Sequence, residues 1–379
     1  MSLGKTVMIF GLGDLGGWVL EFLARRKGIS TIITADPREE YGELKTSSAA
    51  VCAGHLGFSK TIKFEKCDVF DVDRTAELLK KCNPDFIYAS MTQLSWWVPT
   101  FLPHEVHEEI VKIAGPMLPM HLTLVSKLMR AVKKSGITAP VLNHSWPDLT
   151  NPVLARNGLG PLIGAGNLDL IVAEIRRKVS LAENIPIPEI DVYFFAEHVL
   201  NMRDVKLGIP YLLKIMVDDK DITHKFDTDE LINGIFYRKC PANQTSWLVH
   251  PIVATSAVRI IMGLLNDTGE LTHAPGPNGL IGGYPVRLRA SGVEVVLPEG
   301  ITMEQAIKIN TEDIKFEGVE EMKDDGTLVF TEEGYRVTKE IFGIDHRELR
   351  LEETVERSKE ILAAYKRLAE KYKAPLYLY

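Results

Sequence analysis

The residues whose types and spacing bear most directly on chemistry lie between positions 7 and 36. An apolar run, Val7-Met8-Ile9-Phe10, leads into Gly11-Leu12-Gly13-Asp14-Leu15-Gly16. A helical pattern follows at Trp18, Val19, Phe22 and Leu23, and a β-rich run, Thr31-Ile32-Ile33-Thr34, ends at Asp36. That is strand, glycine turn, helix, strand and acid. Gly11 permits the tight turn, Gly13 lets a pyrophosphate approach the backbone, and Gly16 lets the helix pack closely on the strand. Asp14 and Leu15 open the helix, whose free N–H groups and partial positive charge face the phosphates. Asp36, twenty residues beyond Gly16, stands where a carboxylate accepts hydrogen bonds from an adenosine ribose. A lone G-x-G-x-x-G reads equally well as an ordinary turn; with strand, helix and acid in place it reads as a dinucleotide site. An acid at this point repels a 2′-phosphate, so NAD is expected over NADP, with Arg38 close enough to leave that open.

Such a site needs a parallel sheet to hold it. After Asp36 the sequence reads as a polar connection to about residue 58, a strand at 60–64, a helix at 73–81 and a strand at 84–89. Thr92, counted with the cofactor-binding residues, opens a loop rich in large apolar residues, Gln93-Leu94-Ser95-Trp96-Trp97-Val98-Pro99. A helical region spans 104–134, broken near Gly115-Pro116, before a strand at 139–142 that ends in Asn143-His144-Ser145. Alternation of this kind predicts an α/β fold with a doubly wound parallel sheet of the Rossmann type. The second half predicts helices at 168–182 and 250–265 and strands at 189–195 and 211–217, with hairpin segments near 283–288 and 293–297. The expected organisation is a dinucleotide-binding domain (1–150), an α+β substrate domain with antiparallel strands (151–345) and a C-terminal helical extension (346–379), where a charged amphipathic helix is predicted at 349–373.

Three segments line up in order: Asn143-His144-Ser145-Trp146-Pro147-Asp148, then Gly164-Ala165-Gly166-Asn167-Leu168-Asp169, then Phe195-Ala196-Glu197-His198; Asn243-Gln244-Thr245-Ser246-Trp247 is a weaker fourth. With 29 residues between Asp169 and His198, the chain distantly resembles the lactate/malate dehydrogenase superfamily up to about residue 345. The resemblance implies an NAD-dependent oxidoreductase. It assigns His198 as the acid/base and Asp169 as its carboxylate partner, with Asn143 orienting substrate or nicotinamide unless Ser145 aligns there instead, and Thr245 lining the substrate pocket. Histidine suits the role because its pKa lies near operating pH. Taken singly, His198 and Asp169 also fit a hydrogen-bonded strand-end histidine and a helix first-turn acid. The resemblance also implies a homo-oligomer.

Departures from the family pattern define the expectation further. Members acting on 2-hydroxy acids carry an arginine three residues after the aspartate; here that residue is Val172. They carry another on the loop after the fourth strand, which here has none. A substrate other than lactate or malate is therefore expected, with Trp96 facing it and Arg203, or secondarily Arg259, as a replacement anion contact. Within the same superfamily, family 4 glycosidases use a metal held by Cys and His; Gly166-Asn167-Leu168 stands where that cysteine segment belongs, so no metal is expected. Short-chain dehydrogenases need a mid-chain Tyr-x-x-x-Lys, and Tyr41/Lys45 and Tyr335/Lys339 are misplaced for it. A saccharopine-dehydrogenase-like reductase and a non-catalytic NAD(H) sensor are the alternatives.

The rest of the composition sets bounds. The 379 residues are 45% hydrophobic and 25% charged, with a net charge of −7 and no basic cluster, which argues against nucleic acid. No apolar run reaches the roughly twenty residues of a membrane span, and the first apolar run is the opening strand rather than a signal peptide. Cys52, Cys67, Cys82 and Cys240 are scattered, as thiols in a reducing cytoplasm would be.

Overall fold

A computed structural model describes residues 4–240 and 245–376. The chain begins β1 (Lys5–Phe10), α1 (Asp14–Ala24), β2 (Ile29–Asp36), α2 (Glu39–His55), β3 (Thr61–Lys66), α3 (Val72–Cys82) and β4 (Phe86–Ala89). It continues through α4 (His104–Val111), α5 (Pro119–Ser135), β5 (Val141–Asn143), α6 (Pro147–Arg156) and β6 (Ile163–Gly164). The six strands form one sheet in the order β3-β2-β1-β4-β5-β6, every pair parallel. This is the Rossmann strand order.

The strands alternate their side chains between two apolar layers, as a period of two requires. Met8, Phe10, Ile33, Ala35, Ile87 and Val141 face one layer, with Leu118, Leu122 and Leu128 of the α5 region. Val7, Ile9, Ile32, Phe86 and Leu142 face the other, against Val19, Leu20 and Leu23 of α1. The expected connection at 37–58 is instead mostly helix α2. Its inward face is Gly42, Thr46, Ala49 and Ala53, so it packs through small residues. A Cβ on Gly42 would fall 2.1 Å from the Phe64 ring.

The second half comprises α7 (Leu168–Glu183), β7 (Ile190–Phe195), β8 (Leu212–Val217), β9 (Lys220–Asp221), α8 (Thr228–Asn233), α9 (Thr245–Leu248) and α10 (His250–Leu265). Then come β10 (Leu271–Pro275), β11 (Gly283–Arg289), β12 (Gly292–Val295), α11 (Met303–Asp313), β13 (Val319–Met322), β14 (Leu328–Phe330), α12 (Glu332–Phe342), β15 (Glu348–Leu349) and α13 (Thr354–Tyr372). Three small antiparallel sheets, β7-β8-β9, β10-β11-β12 and β13-β14-β15, make this half α+β. The halves interlock. Strand β6, beyond residue 150, completes the first sheet. Ala257, Val258 and Ile261 of α10 join the α1 layer, while Ile314, Val319, Leu328, Phe330, Leu349 and Leu351 join the opposite one.

Helix α13 does more than cap the chain. Ile361, Ala364, Tyr365 and Ala369 pack with Leu94, Trp97, Val98 and Leu102 of the loop after β4, and the Tyr365 hydroxyl donates to the Val98 carbonyl at 3.2 Å. No helix among the described residues is long and apolar enough to cross a membrane.

Candidate active site

The C-terminal ends of the parallel strands open into one cleft of about 880 Å³, the place where open α/β sheets hold ligands. It takes in Gly11, Gly13, Asp14, Leu15 and Asp36 together with Thr92, Trp96, His198, Arg203 and Thr245. Gly11 has a φ of +89°, and a Cβ on Gly16 would lie 1.9 Å from the Gly11 carbonyl oxygen, so α1 reaches the turn only over glycine. A Cβ on Gly13 would meet nothing within 4 Å; it would project into the cleft and fill the cradle. No side chain caps the N-terminus of α1, which leaves its first N–H groups for an anion. These features fit the diphosphate of a dinucleotide.

Asp36 is buried and fully engaged. Its Oδ2 accepts from the Leu12 N–H at 2.9 Å and its Oδ1 from the Arg38 N–H at 3.0 Å. The Arg38 guanidinium clasps both oxygens, at 2.8 and 2.9 Å, and lies 4.4 Å from the Tyr41 ring centre. Burial pushes the Asp36 pKa up, but the Arg38 side chain and the two backbone donors outweigh it and hold the carboxyl below its usual range. The acid that the sequence assigns to a ribose thus also pins the glycine turn to the end of β2.

His198 begins a short 3₁₀ turn after β7 and is 14% exposed. Its Nδ1 lies 2.9 Å from Glu317 Oε1, and the other Glu317 oxygen accepts from the Trp146 indole N–H at 3.3 Å. The Trp146 ring stands edge-on to His198 at 4.6 Å. This corrects the sequence expectation for the pair: the carboxylate on His198 is Glu317, 119 residues away, and not Asp169. Asp169 is buried on α7, outside the cleft lining, where it acts electrostatically on Arg176 and His273. Burial works against the His198 charge, but the Glu317 hydrogen bond and charge, with that of Asp148, raise its pKa above the usual value.

Asn143 is corrected as well. It lies wholly buried outside the lining, donating to Thr150 Oγ1 at 2.8 Å and Asn151 Oδ1 at 2.9 Å and accepting from the Ser145 N–H. Ser145, the alternative alignment, lines the cleft. Arg259 is engaged elsewhere, on Glu270 and the Leu271 carbonyl. Arg203 lines the cleft and donates to the Phe316 carbonyl at 2.9 Å, bracing the segment that carries Glu317. Thr245 is buried and Trp96 is 45% exposed; Asn243 and Gln244 lie outside the described residues.

Behind His198 sit three more buried carboxyls. The Asp313 carboxylate accepts from the Glu197 N–H at 3.1 Å, Glu197 accepts from the Val199 N–H at 2.8 Å, and Asn167 donates to Asp148. Each keeps one oxygen (Asp148 Oδ1, Glu197 Oε1, Asp313 Oδ1) without a partner among the described residues. Burial, with repulsion from Glu317, raises all three pKa values, Asp148 to about 7 and Asp313 to about 8. Two residues at this wall also carry left-handed backbones, Trp146 (φ 52°) and Asn167 (φ 53°). Such outliers concentrate at functional sites. No group of three or more His, Cys, Asp or Glu side chains arranged to hold a metal occurs among the described residues. Glu317 and the Asp148–Glu197–Asp313 group escaped sequence reasoning; the Pro147-Asp148 and Glu197-His198 neighbourhoods were the available signal.

The sequence matches no protein-family model and no curated protein. Solved structures do resemble it. A lactate dehydrogenase from Eimeria maxima with NADH and oxamate is 14% identical over 83% of this chain and 94% of its own, with a TM-score of 0.58. A minor L-lactate dehydrogenase from Enterococcus mundtii in the ligands-bound form is 15% identical over 82% and 95%, with a TM-score of 0.60. The malate dehydrogenase from Aeropyrum pernix is 13% identical over 82% and 95%, with a TM-score of 0.57. The likeness extends through both halves of the chain, which has the fold of the lactate and malate dehydrogenases.

Proposed function

We propose that this chain is a nicotinamide-dependent oxidoreductase acting on a hydroxyl or carbonyl substrate other than lactate or malate. The observation that carries the reading is that His198, backed by Glu317, lines the same cleft as the glycine turn. Gly11, Gly13, Asp14, Leu15, Gly16, Asp36 and Thr92 would hold the cofactor, NAD in preference to NADP because Asp36 stays anionic beside the ribose position. When bound, the nicotinamide supplies or accepts the hydride. His198 Nε2 accepts the hydroxyl proton in oxidation and returns it in reduction, while Glu317 fixes the ring and stabilises the imidazolium. Arg203 is the candidate anion contact in the substrate end of the cleft.

The restriction on substrate rests on two positions. Val172 is buried among apolar residues of α7 and β7, and the loop after β4 has no arginine, so no bidentate clamp for a 2-hydroxy acid stands at either. A saccharopine-dehydrogenase-like reductase draws only on the first half, whereas the structural likeness runs through the second. The reading includes a homo-oligomer, which sedimentation would weigh.

The test is NADH binding and turnover across hydroxy acids, sugar acids and polyols, for the wild type and His198→Ala. Loss of about 10²–10⁴-fold in turnover with NADH binding retained is expected. Tight binding with no turnover anywhere, and no effect of the substitution, would instead mark a nicotinamide sensor.

A further inference from the structure

One role goes unfilled in the proposed reaction. The loop arginine that polarises the substrate oxygen in the resembling enzymes is absent between Thr92 and Pro99, yet a carbonyl oxygen gaining charge needs a donor aimed at it. His121, in the first turn of α5, lines the same cleft. Its ring lies 5.1 Å from the Trp146 ring, and Trp146 lies 4.6 Å from His198, so the two imidazoles meet on one indole.

The hydrogen bonds of His121 set its tautomer. Nδ1 lies 3.2 Å from Ser145 Oγ and 3.4 Å from Thr92 Oγ1. The single hydroxyl hydrogen of Thr92 has carbonyl acceptors in Leu94 and Met120, at 2.9 and 3.1 Å. The Ser145 hydroxyl has His121 as its partner. At 3.4 Å the Thr92 oxygen lies beyond the usual N–H···O range and does not hold a proton on Nδ1; with Ser145, whose hydrogen has no other acceptor among the described residues, donating to Nδ1, the ring proton is on Nε2. Burial, with the charge His198 carries when protonated, lowers the His121 pKa to about 3, and the positive end of α5 acts in the same sense. Of the two imidazoles on this indole, His198 is built to change charge and His121 to keep none.

We infer that His121, through its Nε2–H, donates the hydrogen bond that polarises the substrate oxygen opposite His198, in place of the missing arginine. This rests on the proposed dehydrogenase reading and narrows its substrate class. A neutral imidazole polarises the oxygen of a ketone or secondary alcohol without adding charge there, so any carboxylate of the substrate is left to Arg203 in the same cleft. His121 gives up no proton in the reaction; His198 alone exchanges one.

Nitrogen-15 spectra of histidine-labelled full-length protein, titrated from pH 5 to 9, read the inference directly. A neutral His121 protonated on Nε2 throughout is expected, with Ser145→Ala releasing the ring toward the other tautomer. A proton on Nδ1 in the wild type, or titration of His121 within that range, would overturn it. On the best substrate of the panel, His121→Leu should lower kcat/KM about 10²-fold, with a smaller loss in His121→Gln, whose amide still donates, and with the pH limb of His198 unmoved. Equal losses in melting-matched Leu and Gln variants would also overturn it. Full activity of His121→Leu with inactive His198→Ala refutes this inference alone, whereas indifference to His198→Ala refutes the dehydrogenase reading beneath it.

Discussion

The buried carboxyl that lines this cleft, Asp36, and those behind His198 are treated in opposite ways. Asp36 receives four donor contacts, two from backbone N–H groups and two from Arg38, and is held ionised. Asp148, Glu197 and Asp313 lie as deep, each with one unpartnered oxygen, and are held toward the protonated form. Of the four carboxyls behind His198, Glu317 alone, facing the His198 ring and the Trp146 indole, has polar partners at both oxygens among the described residues. In this protein depth does not set charge; the count of donors does. The Asp36 region is a fixed anion that shapes a turn, and the region behind His198 is a weakly solvated acid store in which one carboxylate has an imidazole to pair with.

The region behind His198 is the more sensitive of the two to substitution. Glu317→Gln keeps the shape but removes the charge that favours the imidazolium, so the His198 pKa falls. Alcohol oxidation needs neutral His198 and rises as pH climbs through that pKa; its limb should move to lower pH, and kcat should fall about 10²-fold. An unmoved limb in a pH–rate profile would show that Glu317 does not govern His198. Next is Asp36→Ala, which strands the Leu12 N–H and the guanidinium. It should cost about 1–3 kcal/mol of stability and weaken NADH binding about tenfold while leaving the pH limb in place, measured by melting and fluorescence titration.

The smallest effect sharpens the contrast. Asp313 is neutral in the fold at pH values where it is ionised when unfolded. Its contribution is fully present below its unfolded pKa near 4 and is lost as pH rises through its folded value of about 8. Asp313→Asn should therefore flatten the fall in Tm between pH 5 and 8 by a few degrees. Asp36 has the opposite sign, since its lowered pKa adds stability above pH 4 that acid removes.

Legibility in the sequence followed the same division. The turn after β1 could be read because its parts are local: glycines at fixed offsets, then a helix, then an acid closing β2. Helix α10 could be read to the residue, 250–265, because its apolar period is plain. Helix α2 could not, because small residues make its inward face and leave little amphipathic signal. His198 stood out as a histidine at a strand end, but its partner did not. Glu317 reaches it by a contact between distant segments, and an acid before Gly318 carries no local mark of that use. Asp169 had the spacing without the geometry; its helix turns it toward Arg176 and His273.

The interlocking of the chain's two ends has a consequence for its synthesis. One face of the first sheet is covered by residues 314–351, and the wall formed by the loop after β4 is braced by α13. The last strand segment of that loop's neighbourhood, β5, leaves the ribosome about 230 residues before α13 is complete. At about 5–20 residues per second that is roughly 10–45 s. Until residue 351 has been made, Met8, Phe10, Ile33 and Ile87 lack part of their covering, and until α13 is complete the loop after β4 lacks its brace, so the nascent chain exposes apolar surface that the finished fold hides.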